Sequence, residues 1–332
     1  MIAAPLKLVS FQSVAVRAPL SMNSVLNFSR MRRPPFFWLP PRLGVISLLI
    51  CSCFLSACRK DKDPHLTIGS KFFTEQVILA ELLAQHIEAR TGAHVERKSN
   101  LGGTLLCQKA LLSGDLDLYV EYTGTALTAV LNESPSRDPH EVYKRVKQGY
   151  AQRFNLEVTE PLGFENTFAM VVRGQDAQQL HLRNTSDIVP YAPKMRAGFG
   201  YEFLERPDGF KGWSQLYGLH FAASPSVMDL GLIYRALVDK KVDIVAGNST
   251  DGLIAALHLV PLVDDKHYFP PYDAVPIVRR DALDKFPQLR SALADLANKI
   301  SAEEMRHLNS EVDADQRDPA VVVRAFRASK SL

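Results

Sequence analysis

Cysteine is scarce in this chain: four among 332 residues, three of them crowded at Cys51, Cys53 and Cys58 and the fourth, Cys107, alone. Beyond the first three there is nothing for Cys107 to pair with, so a disulfide framework in the body of the protein is excluded, and Cys107, within a helical stretch of apolar neighbours, reads as a small core residue. The nine histidines show no paired ligand spacing, which argues against a metal site. No Gly-x-x-x-x-Gly-Lys-Ser/Thr loop occurs, so the chain carries no P-loop of its own for ATP hydrolysis. Neither a Gly-x-Ser-x-Gly elbow nor a local Cys/His signature is present to activate a nucleophile. After Cys58 no apolar run approaches the roughly 20 residues that span a bilayer. Acidic residues are missing altogether from the first 57 positions, which hold six basic ones.

What stands there instead is an ordered signal. Arg32, Arg33 and Arg42 precede an apolar stretch, 43–55, that closes on Leu55-Ser56-Ala57-Cys58. A basic region, a short apolar core and small residues at the cleavage point make the pattern of a bacterial lipoprotein signal peptide, 31–57, with Cys58 as the lipidated first residue. Residues 1–30 do not fit that plan, and Met31 reads as the start, which makes 1–30 a non-native extension. Removing 1–57 leaves 275 residues with 33 of the 39 basic side chains against all 36 acidic ones, a net −3. That balance argues against nucleic acid, which demands a clustered basic surface.

From Asp61 onward short β-like runs alternate with helical stretches, an α/β pattern. Residues 65–69 read as a strand. Thr74 suits an N-cap, Glu75 favours the positive end of the helix that follows, and Val77, Ile78, Leu82, Leu83 and Ile87 make one apolar stripe until Gly92 stops it. A strand at 93–97, a Gly102-Gly103 turn, a helix capped by Thr104 and running to about Ser113, and a strand at 116–120 repeat the device. A helix over 139–154 leads into a long extended stretch, 156–173, that reads as a crossing between lobes. Strands at 195–199 and 242–246, an extended piece at 223–225 and a helix at 231–238 form a second set. A return crossing over 272–278 follows, and helices over 282–305 close the chain. In open α/β sheets ligands bind at the carboxyl ends of the strands, so the loops there hold the candidate residues.

Seven of these loops carry recognisable runs: 68–76 (IGSKFFTEQ), 101–104 (LGGT), 121–125 (EYTGT), 163–169 (GFENTFA), 202–209 (EFLERPDG), 249–252 (STDG) and 264–272 (DDKHYFPPY). Together they resemble the substrate-binding proteins of osmoprotectant ABC importers, for glycine betaine, choline and carnitine, over roughly His65 to Leu308. The resemblance implies a two-lobed type II periplasmic-binding-protein fold, two Rossmann-like lobes joined by two crossing strands, with 65–168 and 270–332 as lobe one and 169–269 as lobe two. It also implies a monomer without a cofactor, lipid-anchored outside the cytoplasm, that closes on a small osmolyte and delivers it to an ABC permease with a separate ATPase subunit.

A trimethylammonium group carries charge but no hydrogen to donate, so aromatic faces suit it, at about 2 kcal/mol or more per desolvated ring. By the resemblance, Tyr122 is the cage tyrosine at a strand end. Phe168 falls where many members have tyrosine, and Asn248 where an aromatic residue often precedes the Thr-Asp-Gly run of 250–252. Phe72, Phe73, Tyr201 and Tyr272 are rings that could complete the cage, whereas Tyr217 reads as structural. Gln76 and Thr104, at helix starts facing the cleft, are candidates for a ligand carboxylate. Thr250 and Asp251 match the family run, with Asp251 either facing the ligand cation or capping a helix. Glu202, Arg206 and Asp208 read as interlobe salt bridging or as a solvated surface. Two alternatives stay open: the same receptor fold with another small polar solute or amino-acid derivative, for which Phe168 and Asn248 speak, and an enzyme on this fold, for which only Cys107 speaks.

Overall fold

Strand and helix alternate from His65 onward in the computed structural model, which describes residues 65–332; the readings placed on 1–30, on the 31–57 signal and on Cys58 lie outside the described residues. The order is β1 (His65–Gly69), α1 (Thr74–Thr91), β2 (His94–Lys98), α2 (Thr104–Ser113), β3 (Leu118–Tyr122), α3 (Pro139–Phe154) and β4 (Leu156–Val158). A second sheet is then built from β5 (Phe168–Arg173), β6 (Ala197–Gly200), β7 (Ser226–Met228), β8 (Ile244–Asn248) and β9 (Leu259–Leu262), with α4 (Tyr201–Glu205) directly after β6. The chain returns through β10 (Ala274–Arg279) and ends in helices that include α5 (Ala302–Asp313) and α6 (Pro319–Lys330).

The two sheets share one plan, β2-β1-β3-β10-β4 and β7-β6-β8-β5-β9. β1 is parallel to β2 and β3, and β6 to β7 and β8. The strand that enters each sheet from the other lobe, β10 or β5, runs antiparallel to both its neighbours. Two α/β lobes therefore present the carboxyl ends of their parallel strands and the first residues of their antiparallel strand on one side.

α1 shows why a single stripe was too little to expect of this helix. Besides Ile78, Leu82, Leu83 and Ile87, its Leu79, Ala80 and Ala84 are buried, because β1 to β3 lie on one side and α5 and α6 pack on the other. Each buried Leu or Ile contributes roughly 2 kcal/mol. Gly92 ends the helix at φ +69°, as its sequence position suggests. Thr74 does not cap it: the cap position is Phe73, with no side-chain bond, and the Thr74 hydroxyl donates to Asp313 at 2.5 Å, tying α1 to α5. Thr104 likewise is the first residue of α2, with Gly103 in the cap position.

Other boundaries move by a few residues. The strand expected at 116–120 is β3, two residues later, and the piece expected to be extended at 223–225 is a bend, with β7 beginning just after it. The long extended stretch 156–173 divides, β4 staying in the first sheet and β5 opening the second. Neither β9 nor α6 was expected from the pattern.

Candidate functional site

The strand ends of the two lobes face each other across a cavity of about 120 Å³. One buried water needs on the order of 10–15 Å³, so the space suits a small molecule of several heavy atoms. From the first lobe come the loop after β1 (Lys71 to Phe73) and Tyr122 at the end of β3; from the second come Tyr201 and Glu202 at the start of α4 and Asn248 at the end of β8. Phe168 and Tyr272 stand where the chain passes between lobes: Phe168 opens β5 opposite Asn248, and Tyr272 lies two residues ahead of β10.

Rings dominate the lining. Phe73 stacks on Tyr122 with centroids 6.4 Å apart, and Phe168 meets Tyr272 edge-on at 6.0 Å. Tyr122 and Tyr272 are buried while Tyr201 is 48% exposed at the mouth. Two cationic side chains already rest on these faces. The Lys71 ammonium lies 5.1 Å from the Tyr122 ring centre, and the Arg206 guanidinium 4.9 Å from that of Phe168 and 5.8 Å from that of Tyr272.

Carboxylates hold these groups in place. Lys71 pairs with buried Glu121. Asp208 accepts from Arg206 at 2.6 and 2.9 Å and from the Tyr272 hydroxyl at 2.6 Å. Burial alone would raise its carboxyl, but the Arg206 charge and hydrogen bonds outweigh that and hold it below the usual range. Glu75, at the start of α1, accepts from the hydroxyl of Tyr122 and the amide of Asn166, and across the cleft from the hydroxyl of Thr250. With no cation among its partners, burial drives its pKa up. Glu202 reaches from α4 to the N-terminus of α2, where the Thr104 N–H donates to it at 2.7 Å. A Cβ on Gly103 would lie 2.3 Å from that carboxylate, so a side chain here would make it shift.

Of the residues singled out in the sequence, Tyr122, Phe168, Phe73, Asn248 and Tyr201 line the cavity together, as do Phe72 and Tyr272. Four lie off it. Gln76 is buried in α1 and accepts from the Lys71 N–H at 3.5 Å. The Thr104 N–H meets the protein's own Glu202 rather than open cleft. The Thr250 hydroxyl is committed to Glu75 at 2.5 Å. Asp251 accepts from the Tyr234 hydroxyl at 2.5 Å and from the Asn248 N–H at 3.0 Å, holding the turn after β8; burial raises its pKa to about 6. Glu202, Arg206 and Asp208 are neither solvated nor salt-bridged between lobes: Arg206 and Asp208 pair within their own loop, and the three reach the other lobe through neutral groups, Arg206 and Asp208 at Tyr272 and Glu202 at the Thr104 N–H. Lys71 and Asn166 are cavity residues that the sequence reading passed over, though both lie inside recognised runs.

The profile of substrate-binding domains of ABC-type glycine betaine transport systems matches residues 64–329. The chain belongs to this family. Among its relatives are a carnitine transport binding protein of Listeria monocytogenes, 37% identical over 84% of this chain and 91% of that one, and a glycine-betaine-binding protein of Pseudomonas aeruginosa, 34% identical over 84% and 92%. A solved structure of a glycine betaine/carnitine/choline ABC transporter superposes with TM-score 0.68 at 34% identity, covering 80% of this chain and 98% of that one. This substrate-binding protein accordingly has the two-lobed type II periplasmic-binding-protein fold. Among its described residues no helix is long and apolar enough to cross a membrane. Cys107, the residue on which an enzymatic reading hung, is buried, and burial pushes its thiol up to about 12, far from the depressed range of reactive cysteines.

Proposed function

We propose that this substrate-binding protein is an extracytoplasmic monomer, lipid-anchored at Cys58, that takes a small quaternary ammonium osmolyte into the interlobe cavity and presents it to an ABC permease whose ATPase is a separate subunit. Residues 65–168 with 270–332 act as one lobe and 169–269 as the other. The observation that carries the ligand class is the ring lining: Phe73, Tyr122, Phe168, Tyr201 and Tyr272 border one cavity, and aromatic faces suit a cation that cannot donate hydrogen bonds. The relatives named for carnitine and glycine betaine support the same class.

Within that class the charges favour a zwitterion. Lys71 and Arg206 are each neutralised by a carboxylate, yet each keeps donors beyond the bonds it makes. A ligand carboxylate placed beside them gains charge-assisted hydrogen bonds, while its trimethylammonium end lies against Tyr122, Phe73 and Tyr201. Isothermal titration with glycine betaine, carnitine, choline and proline tests this. The first two bind more tightly than choline, and proline, a zwitterion that carries N–H donors, binds weakly. Binding of proline alone would move the receptor to another cargo class, the second reading that Asn248 in the cavity wall keeps in view.

A further inference from the structure

Glu75 is 1% exposed, and its four acceptor positions are all used by neutral donors. One oxygen, Oε1, accepts from the Tyr122 hydroxyl at 2.6 Å and the Asn166 amide at 2.9 Å. The other, Oε2, accepts from the Thr250 hydroxyl at 2.5 Å and the Asn309 amide at 3.1 Å. Tyr122 and Asn166 line the cavity, whereas Thr250 follows β8 of the second sheet. Asn309 lies on α5 and also donates to the Thr250 carbonyl at 2.9 Å, which braces the same junction. Beside it, the Gly252 position of lobe two is packed so closely on Ser310 that a Cβ would lie 2.4 Å from the Ser310 backbone nitrogen.

Burying an ionised carboxylate costs several kcal/mol unless hydrogen bonds offset it. Here four do, and they divide evenly: one oxygen serves the cavity wall, the other serves the junction with the opposite lobe. We propose that Glu75 is a positioning residue that couples completion of the ligand-binding wall to closure of the lobes, aiming the Tyr122 ring and Asn166 amide into the cavity while Thr250 of lobe two is docked on its second oxygen. This rests on the reading of the cavity as the ligand site. Opening the lobes withdraws Thr250 and leaves the wall residues on a carboxylate with fewer donors; a ligand that straightens the wall favours the docked state. The coupling acts after the ligand has arrived, so its signature is residence time.

The test uses the full chain carrying Glu75→Gln, Thr250→Val or Thr250→Ser. Readouts are calorimetry and rapid mixing with glycine betaine, X-ray scattering, and thermal unfolding. A hydrogen bond to a charged group is worth about 1.5–3 kcal/mol. Glu75→Gln and Thr250→Val are therefore expected to raise the dissociation rate about tenfold or more, with the association rate changing less than about threefold and a larger radius of gyration. Thr250→Ser, which restores the hydroxyl, behaves as wild type. The Glu75→Gln midpoint does not fall, because a buried charge has been removed. Unchanged dissociation in Thr250→Val, or an affinity loss in Glu75→Gln matched by a lower midpoint, overturns the proposal. Should Glu75→Gln fail to fold, the Thr250 pair decides. A wild type that binds none of glycine betaine, carnitine or choline defeats the ligand reading instead; the scattering of unliganded wild type and Thr250→Val then judges the latch, with equal radii overturning it and a larger radius in the variant supporting it.

Discussion

Among the buried carboxylates near the cavity, Asp208 and Glu75 solve the same problem in opposite ways. Asp208, 4% exposed in lobe two, is neutralised by Arg206 and steadied by the Tyr272 hydroxyl, and its pKa falls. Glu75, in lobe one, is met by four neutral donors and by no cation, and its pKa rises. The first arrangement is a self-contained ion pair whose guanidinium stacks on the rings. The second leaves a negative charge whose only stabilisation is geometric, so it depends on its donors being in position. Charge pairing fixes a permanent piece of the wall, and neutral hydrogen bonding makes a piece that can be assembled and taken apart.

Breaking the ion pair has the largest expected effect. Arg206→Met leaves Asp208 buried without its cation and costs about 3–5 kcal/mol of folding stability; urea unfolding that shows a loss under about 1 kcal/mol would mean the pair anchors nothing. On the Glu75 side, Tyr122→Ala removes a ring face worth about 2 kcal/mol, an affinity loss of about 30-fold for glycine betaine. Tyr122→Phe keeps the ring but takes a donor from Glu75, and loses about tenfold. Calorimetry finding Tyr122→Ala as strong a binder as wild type would remove Tyr122 from the site.

The contrast is sharpened by acid. Because the folded pKa of Glu75 lies above its unfolded value, the folded protein takes up that proton first, and wild type gains stability relative to Glu75→Gln as pH falls through the raised value toward about 4.3. For Asp208 the folded value is depressed; its contribution is present above about 3.9 and is lost as pH falls through the folded value, so wild type loses ground relative to Asp208→Asn. Unfolding free energies measured against pH should give difference curves of opposite slope, and slopes of the same sign would erase the distinction. The smallest effect belongs to Glu202, half-buried on the N-terminus of α2. Replacing it by Gln costs about 0.3–1 kcal/mol and a few-fold in affinity; a loss above tenfold would make it a second latch rather than a trim.

The lobes were legible because their strands are short apolar runs punctuated by glycine and by helix-start residues, and β1, α1 and the Gly92 stop follow from such local chemistry. β9 was hidden by Pro261, which cannot donate to a ladder and is tolerated because β9 pairs on one side alone, at the edge of its sheet. Of the site, most of the rings could be named since they occupy a recognised run or, as with Tyr201, the position next to one. Glu75 could not: at the head of α1 it reads as a residue favouring the helix dipole, and its donors lie 47, 91, 175 and 234 residues away. Arg206 and Asp208 are two residues apart, but no local pattern tells that Phe168 and Tyr272 will enclose them.

Phe168 and Tyr272 sit on the two connections between lobes, one at the head of β5 and the other just ahead of β10. Points near a pivot travel least when the bodies it joins swing apart. On the reading proposed for the cavity, these two rings would make a floor that keeps its shape whether the lobes stand open or shut, while Tyr122, Tyr201 and Asn248, farther out, would be walls that arrive. A guest would then land on a finished surface before the room around it exists, and the swing that follows would serve to detain it.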